Sequence, residues 1–149
     1  MNLTRAQIRE DIFKLLFRIE FNGIEDMPAQ IERFFDNPQM GEENEDHSGQ
    51  ILEKDAQYIT QKYESIVSRI PELDAMIDSA AKGWKSRRLG KVDLTILRLA
   101  VYEMKYDEDI PVGVAINEAV ELAKKFGQDE SPSFINGILA KLAKSSDDE

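Results

Sequence analysis

Apolar residues recur at helical spacing through most of the chain. Thr4 followed by Gln7 reads as a capping box, and Ile8, Ile12, Leu15 and Ile19 then share one face until Asn22-Gly23 stops the pattern. This predicts a first helix over about 5–21. Phe13, Phe17 and Phe21 form a second set at four-residue spacing, so the helix is apolar over a wide arc. Pro28, at a first-turn position, with Ile31, Phe34 and Phe35 predicts a short second helix ending at Asn37-Pro38. Residues 37–50 combine turn formers with like charges and no periodicity, which predicts a mobile acidic loop inside one domain.

From Ile51 the set Leu52, Ala56, Ile59, Tyr63, Ile66, Val67 and Ile70 predicts a long amphipathic helix terminated by Pro71, and Leu73, Met76, Ile77 and Ala80 a fourth. The run Leu94 to Met104 is apolar on nearly every side, as befits a helix at the centre of a bundle. Pro111 opens the next helix. Its stripe of Ala115, Ile116, Ala119, Ala123 and Phe126 is narrow enough for close packing, with Gly127 at the C-cap. Ser131-Pro132 caps a last helix carrying Ile135, Ile138, Leu139 and Leu142, where Gly137 would let a neighbour approach. No segment has strand periodicity and none repeats. The fold class is therefore all-α, a compact bundle of about seven helices.

Length and charge add constraints. A chain of 149 residues suits one domain and buries roughly 70% of its unfolded surface, enough for a core without disulfides. Cysteine is absent and histidine occurs once, at His47, so thiolate sites, histidine triads and multi-histidine metal sites have no material. Neither GxGxxG nor GxxxxGK[ST] occurs. No signal peptide is expected at the start of the chain, because Lys14 and Arg18 interrupt its apolar run, and no stretch approaches membrane-spanning length; a cytoplasmic location is the economical expectation.

A net charge of −10 argues against nonspecific binding to nucleic acid or anionic membrane. The distribution is asymmetric, however. Glu42, Glu43, Glu45 and Asp46 crowd the loop and 145–149 form an acidic tail, while Ser79 to Val92 holds no acid and carries Lys82, Lys85, Arg87, Arg88 and Lys91. On composition this strip fits equally a phosphate-contacting surface and a solvated loop whose Trp84 plugs the core. Arg5 and Arg9 share a face near the positive end of the first helix dipole. Phe134 falls in a first helical turn, where a ring either completes the core or stacks on a base. Within apolar surroundings, Arg98 predicts an internal ion pair or a contact with a carbonyl, and Asn117 a satisfied buried amide.

WKSRRLGKVDLTILRLAVYEM, IPVGVAINEAVELAKKFG and SPSFINGIL, in that order, resemble the NusB family of transcription antitermination factors from Trp84 to Leu139. The N-terminal part matches more loosely, through Arg5 and Arg9-Glu10, and residues 22–75 only in helical character. The resemblance implies two helical subdomains that bind boxA RNA of ribosomal RNA operon transcripts together with a small-subunit ribosomal protein, NusE. The pair acts within the RNA polymerase antitermination complex and helps the enzyme pass terminators. It implies no catalysis, cofactor, metal or small-molecule substrate, and no membrane.

Carried over by position, Arg5, Arg9 and Phe134 would face RNA, Glu130 would temper affinity beside Phe134, and Asp93 would face the protein partner. Lys82, Lys85, Arg87, Arg88 and Lys91 join the RNA face by charge and neighbourhood. Ala6 and Gln7 stand where many relatives have arginine, which removes up to two phosphate contacts. Two other readings remain open at this point: the NusB-like domain of an rRNA cytosine methyltransferase, and a helical adaptor that binds only protein.

Overall fold

The computed structural model describes residues 4–22, 53–81 and 89–147. Among them are six helices and no strand: α1 (Arg5–Asn22), α2 (Glu53–Val67), α3 (Ile70–Ala80), α4 (Lys91–Tyr106), α5 (Val112–Phe126) and α6 (Ser131–Asp147). The all-α expectation holds. The short helix after Pro28, the acidic loop with His47, and Lys82, Trp84, Lys85, Arg87 and Arg88 lie outside the described residues. At the other end the backbone is helical through Asp147, so the first part of the acidic tail continues α6.

Two compact units make up the chain, Met1–Ser68 and Arg69–Glu149. In the first, α1 packs on α2. The predicted capping box is present: the Gln7 N–H donates to Thr4 Oγ1 at 3.1 Å and the Thr4 N–H to Gln7 Oε1 at 2.7 Å. Two amide groups that a helix start leaves without intrahelical partners are thereby satisfied. Thr4→Ala is expected to lower stability by about 1 kcal/mol in urea unfolding, and an unchanged midpoint would show that the box contributes nothing. Ile12, Phe13, Leu15 and Leu16 of α1 are buried, as are Ile59, Tyr63, Ile66 and Val67 of α2. The wide apolar arc accounts for Phe17, whose ring stacks on Phe13 at 6.0 Å one turn away. Burial pushes the Tyr63 phenol up to about 12, with Arg18 opposing and Glu64 reinforcing the shift, so the hydroxyl stays neutral.

The break between α2 and α3 falls earlier than the pattern predicts. α2 ends at Val67, Ser68 and Arg69 turn, and Pro71 occupies the first turn of α3 instead of terminating α2. A continued helix would drive the proline ring into the carbonyl four residues back, whereas in a first turn its missing N–H costs nothing. Ile70 thus begins α3, buried, and does not close α2. Ser68 Oγ donates to the Ser65 carbonyl at 2.8 Å, satisfying an acceptor that the end of α2 exposes.

In the second unit α4 packs against α3, α5 and α6. Every residue from Leu94 to Val101 is buried, which explains an apolar run with no polar face. α5 meets its neighbours through Ala115, Ala119 and Ala123, none more than 2% exposed, whose small side chains permit close approach. Ile135, Ile138, Leu139 and Leu142 fill the core side of α6. The expected internal ion pair of Arg98 is made with Asp74 of α3: Nε donates to Oδ1 and Nη2 to Oδ2, each at 2.8 Å. Lys105 Nζ donates to the Leu142 carbonyl at 3.2 Å and Lys141 Nζ to the Ala80 carbonyl at 3.4 Å, tying α4 to α6 and α6 to the end of α3.

Two expectations for single residues are corrected. Asn117 is exposed, because it lies two residues, or 200° of helix, from the buried Ala115 and Ala119. Gly137 is also exposed, and a Cβ there would meet nothing within 4 Å, so no neighbour approaches it.

Candidate nucleic-acid interface

The connection from α5 to α6 has the most defined local chemistry of the candidate positions. Gly127 ends α5 with its N–H on the Ala123 carbonyl at 2.9 Å, as a C-cap should. Its φ of −92° is open to any residue, so conformational freedom is not why glycine is needed. Space is the reason: a Cβ at this position would lie 2.7 Å from both Cβ and Oγ of Ser131 and 2.8 Å from the Ala123 carbonyl oxygen.

Ser131 is the first residue of α6 and is 2% exposed. The sequence predicts that it caps the helix. Instead its hydroxyl is turned back into the connection, where Oγ accepts the Gln128 N–H at 2.9 Å, and its own N–H donates to the Gln128 carbonyl at 3.0 Å. Pro132 follows in the first turn, a position that spares its missing N–H. Glu130 is exposed, and its carbonyl accepts the Phe134 N–H at 3.1 Å. Glu130 and Phe134 are therefore neighbours on one helix start. Phe134 is half-buried, neither sealed in the core nor fully exposed.

Lys91 and Asp93 sit in the first turn of α4, Lys91 exposed and Asp93 half-buried. An acid in a first turn is favoured by the helix dipole whatever else it does. Because α4 and α5 pack together and are joined by the short connection 107–111, they run antiparallel. The start of α4 and the α5–α6 connection thus lie toward the same end of this unit. Lys124 and Lys125, exposed in the last turn of α5, add cations to that end. In the sequence they are marked only as a cation pair immediately before Phe126-Gly127.

The candidates on α1 are described within their own unit. Arg5, the first residue of the helix, is exposed, whereas Arg9, one turn later on the same face, is 8% exposed. Only Arg5 offers an open guanidinium. Next to Arg9, Glu10 and Asp11 are buried too, and the Asp11 carboxyl is pushed up to about 7 by burial, Lys14 opposing and Glu10 reinforcing the shift. No group of three or more acids or histidines is placed to hold a metal ion among the described residues. None of the described helices is long and apolar enough to cross a membrane.

A model of the NusB family matches residues 6–144. The chain belongs to the NusB family. Membership extends well beyond the Trp84–Leu139 motifs, into the part of the chain that resembled the family only in helical character. A transcription antitermination protein NusB from Agathobacter rectalis is 48% identical over 144 residues, covering 95% of this chain and all of that relative. Among solved structures, T. maritima NusB has a TM-score of 0.82 at 33% identity, over 97% of this chain and 93% of that one. A crystal structure of the antitermination factors NusB and NusE in complex with double-stranded RNA has a TM-score of 0.76 at 23% identity, over 95% of this chain and 96% of that one, a likeness of fold. The helical bundle is thus the family's bundle, with the Gly127–Phe134 connection inside the matched region.

Proposed function

We propose that this chain is a cytoplasmic, non-catalytic antitermination factor that binds boxA RNA of ribosomal RNA operon transcripts together with NusE and helps RNA polymerase read through terminators. The observation that carries the reading is the start of α6, where a half-open Phe134 stands beside Glu130 at the end of the unit that also presents Lys91, in a chain shown to belong to the NusB family. A half-buried aromatic on a helix start offers a stacking face at little entropic cost, and nearby cations supply phosphate contacts. In this reading Arg5, Arg9, Lys82, Lys85, Arg87, Arg88, Lys91 and Phe134 contribute to RNA binding, Glu130 tempers it and Asp93 faces NusE. Arg9, being packed, contributes more through placement of the helix start than through an open contact.

The test is a titration of boxA RNA and a scrambled control with NusE present. Preference for boxA is expected, with log affinity falling against log salt by about 0.7 per phosphate contact, as for single strands. Phe134→Ala is expected to weaken binding about tenfold, since stacking on one base contributes about 1–3 kcal/mol. Equal binding of boxA and scrambled RNA would overturn the antitermination reading.

A further inference from the structure

We propose that Ser131 and Gly127 are positioning residues for RNA: together they latch the α5–α6 connection and so fix the first turn of α6 in the attitude that presents Phe134 to a base. The proposal rests on the RNA-binding reading of Phe134 given above.

A serine at a helix start ordinarily spends its oxygen on the amides of its own helix. Here Ser131 is already helical and its oxygen goes backward, so two hydrogen bonds of opposite direction join residues 128 and 131: Gln128 N–H to Ser131 Oγ at 2.9 Å and Ser131 N–H to the Gln128 carbonyl at 3.0 Å. Between them Gln128, Asp129 and Glu130 are exposed and bring no apolar anchor. Ser131 is the buried residue of this turn. Its burial depends on Gly127, because any Cβ there would collide with the serine side chain and with the Ala123 carbonyl. Phe134 lies three residues beyond Ser131, and its amide hangs on the Glu130 carbonyl inside the latched turn. The latch therefore sets the direction from which the ring leaves the helix. Further along, Ile135, Ile138, Leu139 and Leu142 hold α6 in the core independently of the connection. Releasing the latch should loosen the first turn and leave the bundle folded.

Ser131→Ala removes the acceptor without adding volume. In the full chain with NusE, it should weaken boxA RNA binding about fivefold, up to the equivalent of one ordinary hydrogen bond, while urea unfolding stays a single cooperative transition with its midpoint lowered by no more than that one bond accounts for. Amide exchange at Gln128 should quicken in the free protein. Gly127→Ala, which forces the connection open from the other side, should act in the same direction. The deciding measurement is a double-mutant cycle: in a Phe134→Ala background, Ser131→Ala should cost no further affinity, because there is no ring left to position. An equal loss with and without Phe134 would overturn the proposal and reduce the latch to a structural tie. Faster Gln128 exchange with unchanged RNA affinity would overturn it as well while leaving RNA binding by the family surface intact. Failure of the underlying reading shows separately, as absence of boxA preference in the parent protein.

Discussion

Asp11→Asn should stabilise the protein at pH 8 by up to about 4 kcal/mol, since raising a carboxyl from 3.8 to about 7 corresponds to roughly three units at 1.36 kcal/mol each. Asp11 is 1% exposed on the buried side of α1, and the cause of the shift is chiefly loss of water around the charged form; Lys14 offsets part of it and Glu10 adds to it. The sign follows from which state holds the proton. Between pH 3.8 and 7 the folded chain keeps the Asp11 proton while the unfolded chain gives it up, so each rise in pH within that window costs stability. Below it both states are protonated and the penalty vanishes; above it the penalty is complete. Asparagine has nearly the same shape and no charge to desolvate. The gain of the variant over the parent, read from urea unfolding, should therefore be small near pH 4 and grow through pH 7. A gain that is the same at both ends would refute burial of a charged carboxylate as its origin.

Asp74→Ala should destabilise the protein by about 3 kcal/mol, the lower end of the range for leaving a buried charge without its counter-ion. The lower end is appropriate because the Asp74 side chain is 23% exposed, although that of Arg98 is only 10% exposed. Both oxygens of the carboxylate are used, and the guanidinium lies on the helix that forms the centre of its unit. Once Asp74 is gone, Arg98 must draw water into the core side of α4 or remain uncompensated. For a domain of this size the expected fall in Tm is about 6–12 °C. Replacing both partners, Asp74→Leu with Arg98→Met, should recover most of the loss, because no charge is then left to desolvate. If the double variant were as unstable as the sum of the two single ones, the pair would not be coupled and the bidentate geometry would carry no energetic weight.

Much of the bundle was legible because helix formation leaves local marks. The capping box at Thr4 and Gln7, the opening at Pro111 and the glycine at 127 all depend on residues within a turn of one another, and each occurs where the pattern predicted. The continuous apolar run of α4 likewise announced a central helix. The pattern misleads where two local rules compete or where adjacency along the chain does not fix orientation. Pro71 can end one helix or begin the next, and the sequence does not say which. Asn117 adjoins the apolar Ile116 and was expected to be buried, yet a step of 100° per residue carries it to the outer face.

The chain order by itself determined the helices, the family motifs and the need for Arg98 to find a partner, an acid or a carbonyl, inside the bundle. Only the tertiary structure decided that the acid is Asp74, 24 residues away, that Arg5 is open while Arg9 is packed, and that the hydroxyl of Ser131 faces Gln128 instead of capping α6. The physical reason is common to all three. Spacing along a helix specifies which side chains share a face, but what covers that face, and how much water remains around a charge or a hydroxyl, is settled by segments that meet only in the folded chain.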